Sequence, residues 1–183
     1  MCQPVKGVGS KTGQLLWTID SASSKLSMAL SLDTGISKGY IAVGFGNTAG
    51  KMVPASAAAG IFVDGTAPQI KNYHLASTTP SDDMGPGHMG LIKTGVHVAD
   101  GTMVIKFERP LKCAPVANSS VTVAEIKSGI KTHIIVAAGT GAWGYHDIGR
   151  VAFDLDLESG HVETDTDWKK IVHIYTMVAT WGV

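Results

Sequence analysis

Along Lys25–Leu32, Leu26, Met28, Leu30 and Leu32 alternate without a break with Ser27, Ala29 and Ser31. A period of two puts the large apolar side chains on one face of an extended chain and cannot build a helical stripe. The pattern returns at Val151–Leu157, where Val151, Phe153, Leu155 and Leu157 point away from Ala152, Asp154 and Asp156. Between these two stretches lie Tyr40–Phe45, Ala58–Val63, Gln69–Leu75, Gly90–His97, Thr102–Phe107 and His133–Ala138, and Leu15–Asp20 precedes them. Each is short and apolar or alternating. Asp33-Thr34-Gly35, Asp64-Gly65 and Asp100-Gly101 are turn signals among them. Nine or ten strands with no amphipathic helix before residue 167 predict an all-β chain folded as a β-sandwich. The high glycine count (22) and low charged fraction (16%) fit many turns rather than helices. The strand pattern fills residues 1–164. A tail over 165–183 is the one helix candidate, with Asp165 or Asp167 as its N-cap.

Fifteen basic residues balance fifteen acidic ones. Such a chain offers no basic field for nucleic acid and no polybasic patch for a membrane surface. Cys2 and Cys113 permit one disulfide or two thiols, and neither sits in a C-x-x-C pair that would point to zinc. No H-E-x-x-H motif is present, and Gly44–Lys51 lacks the ending of a phosphate loop. Asp82-Asp83 and Asp154/Asp156 would serve a glycosidase only if opposed across a cleft. Asn118-Ser119-Ser120 is a glycosylation sequon, relevant only outside the cell. The terminal apolar run Ile171–Val183 has 13 residues, against the roughly 20 that span a bilayer.

Two places hold the residue types from which a site is made. Between Phe45 and Ala58 lies a loop of small residues in which Met52 is the one large apolar side chain. Glycine, alanine and serine leave room for a bulky group to approach the backbone. Met52 is then either a core plug or a soft ligand. The second place is Gly141–Asp147, where Trp143, Tyr145 and His146 lie on a glycine-rich loop after a central strand. Loops at strand ends carry function on all-β scaffolds, yet His146 by type alone is equally a structural histidine. Among the other histidines, His133 reads as a satisfied strand-end residue and His161 as solvated, while His74 faces solvent or a site. Met84, His88 and Met89 form a short soft-ligand cluster that a cuprous ion would accept.

These segments together resemble a known family. Tyr40–Phe45 followed by Lys51-Met52-Val53-Pro54-Ala55-Ser56-Ala57 is similar to the core signature of DOMON domains, in the variant of plant-type secreted cytochromes. Ile70–Leu75, Pro80–Asp83, Phe107–Leu111, Ile134–Gly139 and Tyr145–Arg150 match further family segments in the same order. The resemblance implies an immunoglobulin-like β-sandwich, extracellular or attached to a membrane and facing outside. It also implies one haem b, with Met52 and His146 as axial ligands and Tyr73, Trp143 and Tyr145 against the cofactor. Such a module transfers single electrons and turns over no substrate. Its partner would be a reductant such as ascorbate or a transmembrane b cytochrome domain. A haem-free DOMON module that binds a sugar or another small ligand is the alternative. Trp168–Trp181 resembles the start of the first helix of ascorbate-reducible transmembrane b cytochromes, with Ile174 where that family carries glycine. That likeness implies a truncated membrane protein, in which His173 has no haem of its own. Related domains tie the N-terminal segment to a strand end, which implies a Cys2–Cys113 disulfide in an extracellular setting.

Overall fold

Every second residue of Lys25–Asp33 is buried, so the alternation read along this segment is the pattern of a strand with one face in the core. This is β3. The computed structural model describes residues 1–9, 12–46, 51–75, 89–113, 124–141 and 143–164. The strands among them are β1 (Cys2–Val5), β2 (Gly13–Asp20), β3, β4 (Gly39–Gly46), β5 (Ala55–Phe62), β6 (Gln69–Leu75), β7 (Ile92–Ala99), β8 (Thr102–Pro110), β9 (Thr132–Gly139), β10 (Gly149–Leu155) and β11 (Val162–Thr164). No helix occurs among the described residues.

Two antiparallel sheets form a sandwich. One has the order β1-β2-β3-β8-β7 and the other β11-β10-β9-β4-β5-β6. The turns follow local chemistry. Between β2 and β3, the Asp20 carboxylate accepts the amides of Ala22 and Ser23 at 3.0 and 3.2 Å, and Ser24 adopts a positive φ. Between β7 and β8, Asp100 and Gly101 both have positive φ, as a tight two-residue hairpin requires. Leu15, Trp17, Leu26, Leu30, Met103, Ile105 and Phe107 of the first sheet pack on Ile41, Val43, Phe45, Phe62, Ile134 and Val136 of the second. Arg109 is also buried there. Its guanidinium lies 4.6 Å from the Phe45 ring centroid and donates to Ala124 O at 2.8 Å.

Strands β4, β5 and β9 are buried along both faces. Their side chains that point away from the first sheet form a second, separate apolar cluster. It contains Tyr40, Ala42, Ala55, Ala57, Ala59, Ile61 and Ile135, with Tyr73 and Leu75 of β6.

The structure changes several sequence expectations. β1 and β11 were not foreseen. β5 starts at Ala55, inside what reads as a small-residue loop, because pairing on both sides outweighs alanine's weak strand preference. Cys2 and Cys113 are free thiols, which corrects the expected disulfide. Cys2 pairs with Leu16 in mid-β2, whereas Leu111 hydrogen-bonds Ser24 beyond the end of β2. The four residue steps from Leu16 to Asp20 alone span about 13 Å at strand rise, past the ~7 Å that a disulfide tolerates between Cα atoms. Among the described residues no helix is long and apolar enough to cross a membrane. The 165–183 tail, the sequon at 118–120 and the Met84–His88 part of the soft-ligand cluster lie outside the described residues. Met89 is a main-core residue, 1% exposed.

Candidate functional site

The outward cluster of the second sheet is floored by small side chains. Ala42 on β4 lies between Ala59 on β5 and Ala137 on β9 in the ladder, and Gly44 lies between Ala57 and Ile135. Two loops reach over this floor: residues 51–54, which lead into β5, and residues 140–141 and 143–148, which follow β9. Met52, Val53 and Trp143 pack against the cluster from these loops.

The longer loop is held at its ends. Asp147 accepts hydrogen bonds from the Thr140 amide at 2.8 Å and from the Thr140 hydroxyl. These bonds hold the Asp147 carboxyl below its ordinary value. The Ile148 amide donates to Ala138 O at 3.3 Å. Gly139 makes the return possible: a Cβ there would stand 2.5 Å from Tyr145 O and 2.6 Å from the Tyr40 ring. The chain thus folds back against β4, and Trp143 stacks on Tyr73 with centroids 4.0 Å apart and planes 9° apart. Trp143 also packs at 5.0 Å, tilted, against Tyr40.

This folding brings His146 to Met52, 94 positions away in sequence, with Nε2 3.5 Å from Sδ. The other ring nitrogen, Nδ1, is hydrogen-bonded to the Tyr40 hydroxyl. That hydroxyl also donates toward the carbonyls of Gly144 at 3.0 Å and Tyr145 at 3.3 Å. His146 is half-buried. Burial lowers its pKa, the Arg150 charge lowers it further, and Asp147 opposes in part. The imidazole is therefore neutral near pH 7, the form that binds metal ions. Burial, and next the Asp147 charge, push the Tyr40 phenol well above its ordinary value, so it stays a hydroxyl.

Of the residues singled out in the sequence, Met52, His146, Tyr73 and Trp143 come together. The Tyr145 side chain does not; it is 88% exposed, and only its carbonyl faces the site. His74 alternates with Tyr73 on β6 and lies opposite Ser56, on the side away from the cluster. His133 lies opposite Gly46, at the far end of β9 from the His146 loop, with Nδ1 2.7 Å from the Asp154 carboxylate. Tyr40 is the residue that sequence reading missed, taken there as a plain strand position. Its parity with Ala42 and Gly44, opposite Ile41, Val43 and Phe45, is the signal that separates it from the core.

Among the described residues no group of three His, Cys, Asp or Glu side chains is placed to hold a metal ion. One thioether and one imidazole are an incomplete donor set for a bare ion. They are a complete axial set for an iron whose macrocycle brings its own four donors. The three rotatable bonds of Met52 give the freedom to open its 3.5 Å contact with His146. The alanines beside the pair are themselves buried, and their side chains take up little space. By donor type, the residues present fit a haem.

A DOMON domain family model matches residues 9–139. The chain belongs to the DOMON family. The matched span includes Met52 and stops before His146 of this DOMON domain. Among solved structures, it is similar to the cytochrome domain of Myriococcum thermophilum cellobiose dehydrogenase, with a TM-score of 0.59 and 11% identity. That similarity covers 85% of this chain and 81% of the other, and at such low identity it shows the fold alone. No curated protein sequence matches the chain.

Proposed function

We propose that this DOMON domain is a haem-b electron-transfer module of the plant-type cytochrome branch, with Met52 and His146 as axial ligands. The observation that carries the reading is the facing pair, thioether against imidazole at 3.5 Å beside an apolar floor of small residues. The likeness in fold to a domain called a cytochrome is in keeping with it. Haem b, when bound, supplies an iron with both axial positions filled, suited to single-electron exchange. Met52 favours the reduced state, because a thioether is a soft, weakly donating ligand. His146 enters as neutral imidazole, so no proton must leave it before it binds. Ala42, Ala57, Ala59 and Ala137 exclude water on the floor side, and Trp143, packed between Tyr73 and Tyr40, walls one edge. We further propose an extracellular or membrane-attached setting, with a reductant such as ascorbate or a transmembrane b cytochrome domain as redox partner.

A saccharide site is the competing reading. Aromatic faces that stack on sugars would have to be open, and here Trp143 is engaged on Tyr73 and on Tyr40. The deciding experiment loads the protein with haem b and records absorption spectra of wild type, Met52→Ala and His146→Ala. Each variant is expected to lose the six-coordinate low-spin spectrum. Retention of that spectrum by both variants sinks the ligand assignment. Saccharide binding with no haem uptake favours the competitor.

A further inference from the structure

We propose that Tyr40 is a positioning residue that fixes the tautomer of His146, through a relay from His146 Nδ1–H to the Tyr40 oxygen and from the Tyr40 hydroxyl to the Gly144 carbonyl. A tyrosine hydroxyl has one proton to give and lone pairs to receive with. Around the Tyr40 oxygen stand two groups that can only accept, the carbonyls of Gly144 and Tyr145 at 3.0 and 3.3 Å. The third neighbour is His146 Nδ1, which donates or accepts according to its tautomer. If the hydroxyl proton went to Nδ1, both carbonyls would lose their bond to Tyr40. The ring's own proton would then sit on Nε2, with only the Met52 thioether to receive it, a weak acceptor. If instead Nδ1 carries the proton, the hydroxyl accepts from the ring and donates to Gly144. Both bonds then end on oxygen, and Nε2 is left with a bare lone pair directed at Met52. The second arrangement gives up the weak thioether contact and gains a bond to a carbonyl oxygen in its place.

Tyr40 is suited to the task by its place. It lies on β4, a strand paired on both sides, and its ring is fully buried against Trp143. The loop that carries His146 is thus referred to a rigid strand rather than to another loop. A partner on the non-ligating nitrogen sets ring orientation and raises the basicity of the ligating one. Nothing about the tautomer depends on haem. Its consequence, Nε2 presented as a ligand, rests on the haem reading given above.

The test has two arms. In the haem-free protein, nitrogen-15 NMR of the His146 ring at pH 7 is expected to show Nδ1 protonated and Nε2 unprotonated. Tyr40→Phe keeps the ring and removes the oxygen, and is expected to give a mixture of tautomers. In the haem-loaded protein the same variant is expected to bind haem about 10–100-fold more weakly, the usual loss for an outer-shell partner. Its reduction potential is expected to rise, because an imidazole without that acceptor donates less charge to ferric iron. A purely structural role for Tyr40 would move neither the tautomer nor the potential. Protonation of Nε2 in the wild type overturns the proposal. So does a Tyr40→Phe protein with unchanged tautomer, affinity and potential. A wild type with the expected tautomer and no haem uptake overturns the haem reading and leaves the relay standing.

Discussion

The face of β4 turned toward the first sheet carries Ile41, Val43 and Phe45, and the face turned away carries Tyr40, Ala42 and Gly44. β9 continues the contrast in part, with Ile134 and Val136 inward and Ile135 and Ala137 outward, whereas β5 carries small residues on both faces until Ile61 and Phe62; both faces of all three strands are buried. Inside the sandwich, large side chains interlock; Phe45 meets Phe107 edge-on at 6.5 Å, and Gly60 exists because Ile105 fills the space of its Cβ. Outside, alanines make a low floor, and aromatic rings with one methionine and one histidine stand around it. A cluster that served stability alone would fill that floor with leucine and isoleucine, since apolar area buried is what stabilises. The second cluster forgoes that gain, as the proposed haem site requires.

The contrast sets how each region should break. The largest stability loss is expected inside: Phe107→Ala should cost about 3–5 kcal/mol by urea unfolding, while the folded fraction keeps its haem-binding behaviour. A mutation of the floor should do the reverse. Ala57→Leu is expected to cost only about 1–3 kcal/mol through overpacking, yet to abolish haem uptake in a spectroscopic titration. If it binds haem like wild type, the floor is not clearance. Gly139→Ala should follow, because its Cβ meets the Tyr145 carbonyl and the Tyr40 ring. It is expected to weaken haem binding by displacing the His146 loop, with a smaller change in unfolding midpoint than Phe107→Ala gives.

The pH dependence sharpens the same contrast. His146 has a folded-state pKa below the ordinary 6.5, so folding favours its neutral form. That preference is fully present above pH 6.5 and is lost as pH falls through the depressed value. Acid release of haem is therefore expected to have its midpoint below pH 6.5, read from the Soret band, with the sandwich still folded by circular dichroism. The smallest effect belongs to neither cluster. Lys38 and Asp64 form an exposed ion pair at 2.6 Å, and Lys38→Ala should change stability by less than about 0.5 kcal/mol and haem affinity not at all.

How much of this is legible in the sequence follows from which forces are local. β3 and β10 show their buried faces by alternation, and Asp100-Gly101 announces its hairpin, because strand period and turn conformation are properties of a few adjacent residues. β1 is not legible, since Cys2–Val5 is short, includes a proline and is a strand only through its pairing with β2. Ala55–Ala57 reads as loop for the same reason that it makes a good floor: alanine has little strand preference and little bulk. Residue types left Met52 and His146 open between structure and ligation. Family resemblance named them, and only the folded chain puts them side by side across 94 positions. Tyr40 stayed hidden because its strand is apolar on both faces, so only side-chain size, through the small Ala42 and Gly44 that share its parity, sets the site side apart from the core side.

The most direct measurement is a titration of the wild-type protein with haem b, followed by absorption in the oxidised and dithionite-reduced states. Our account predicts saturation at one haem per chain, with a low-spin, six-coordinate spectrum in both states. Failure to take up haem, or a five-coordinate high-spin spectrum, would contradict it.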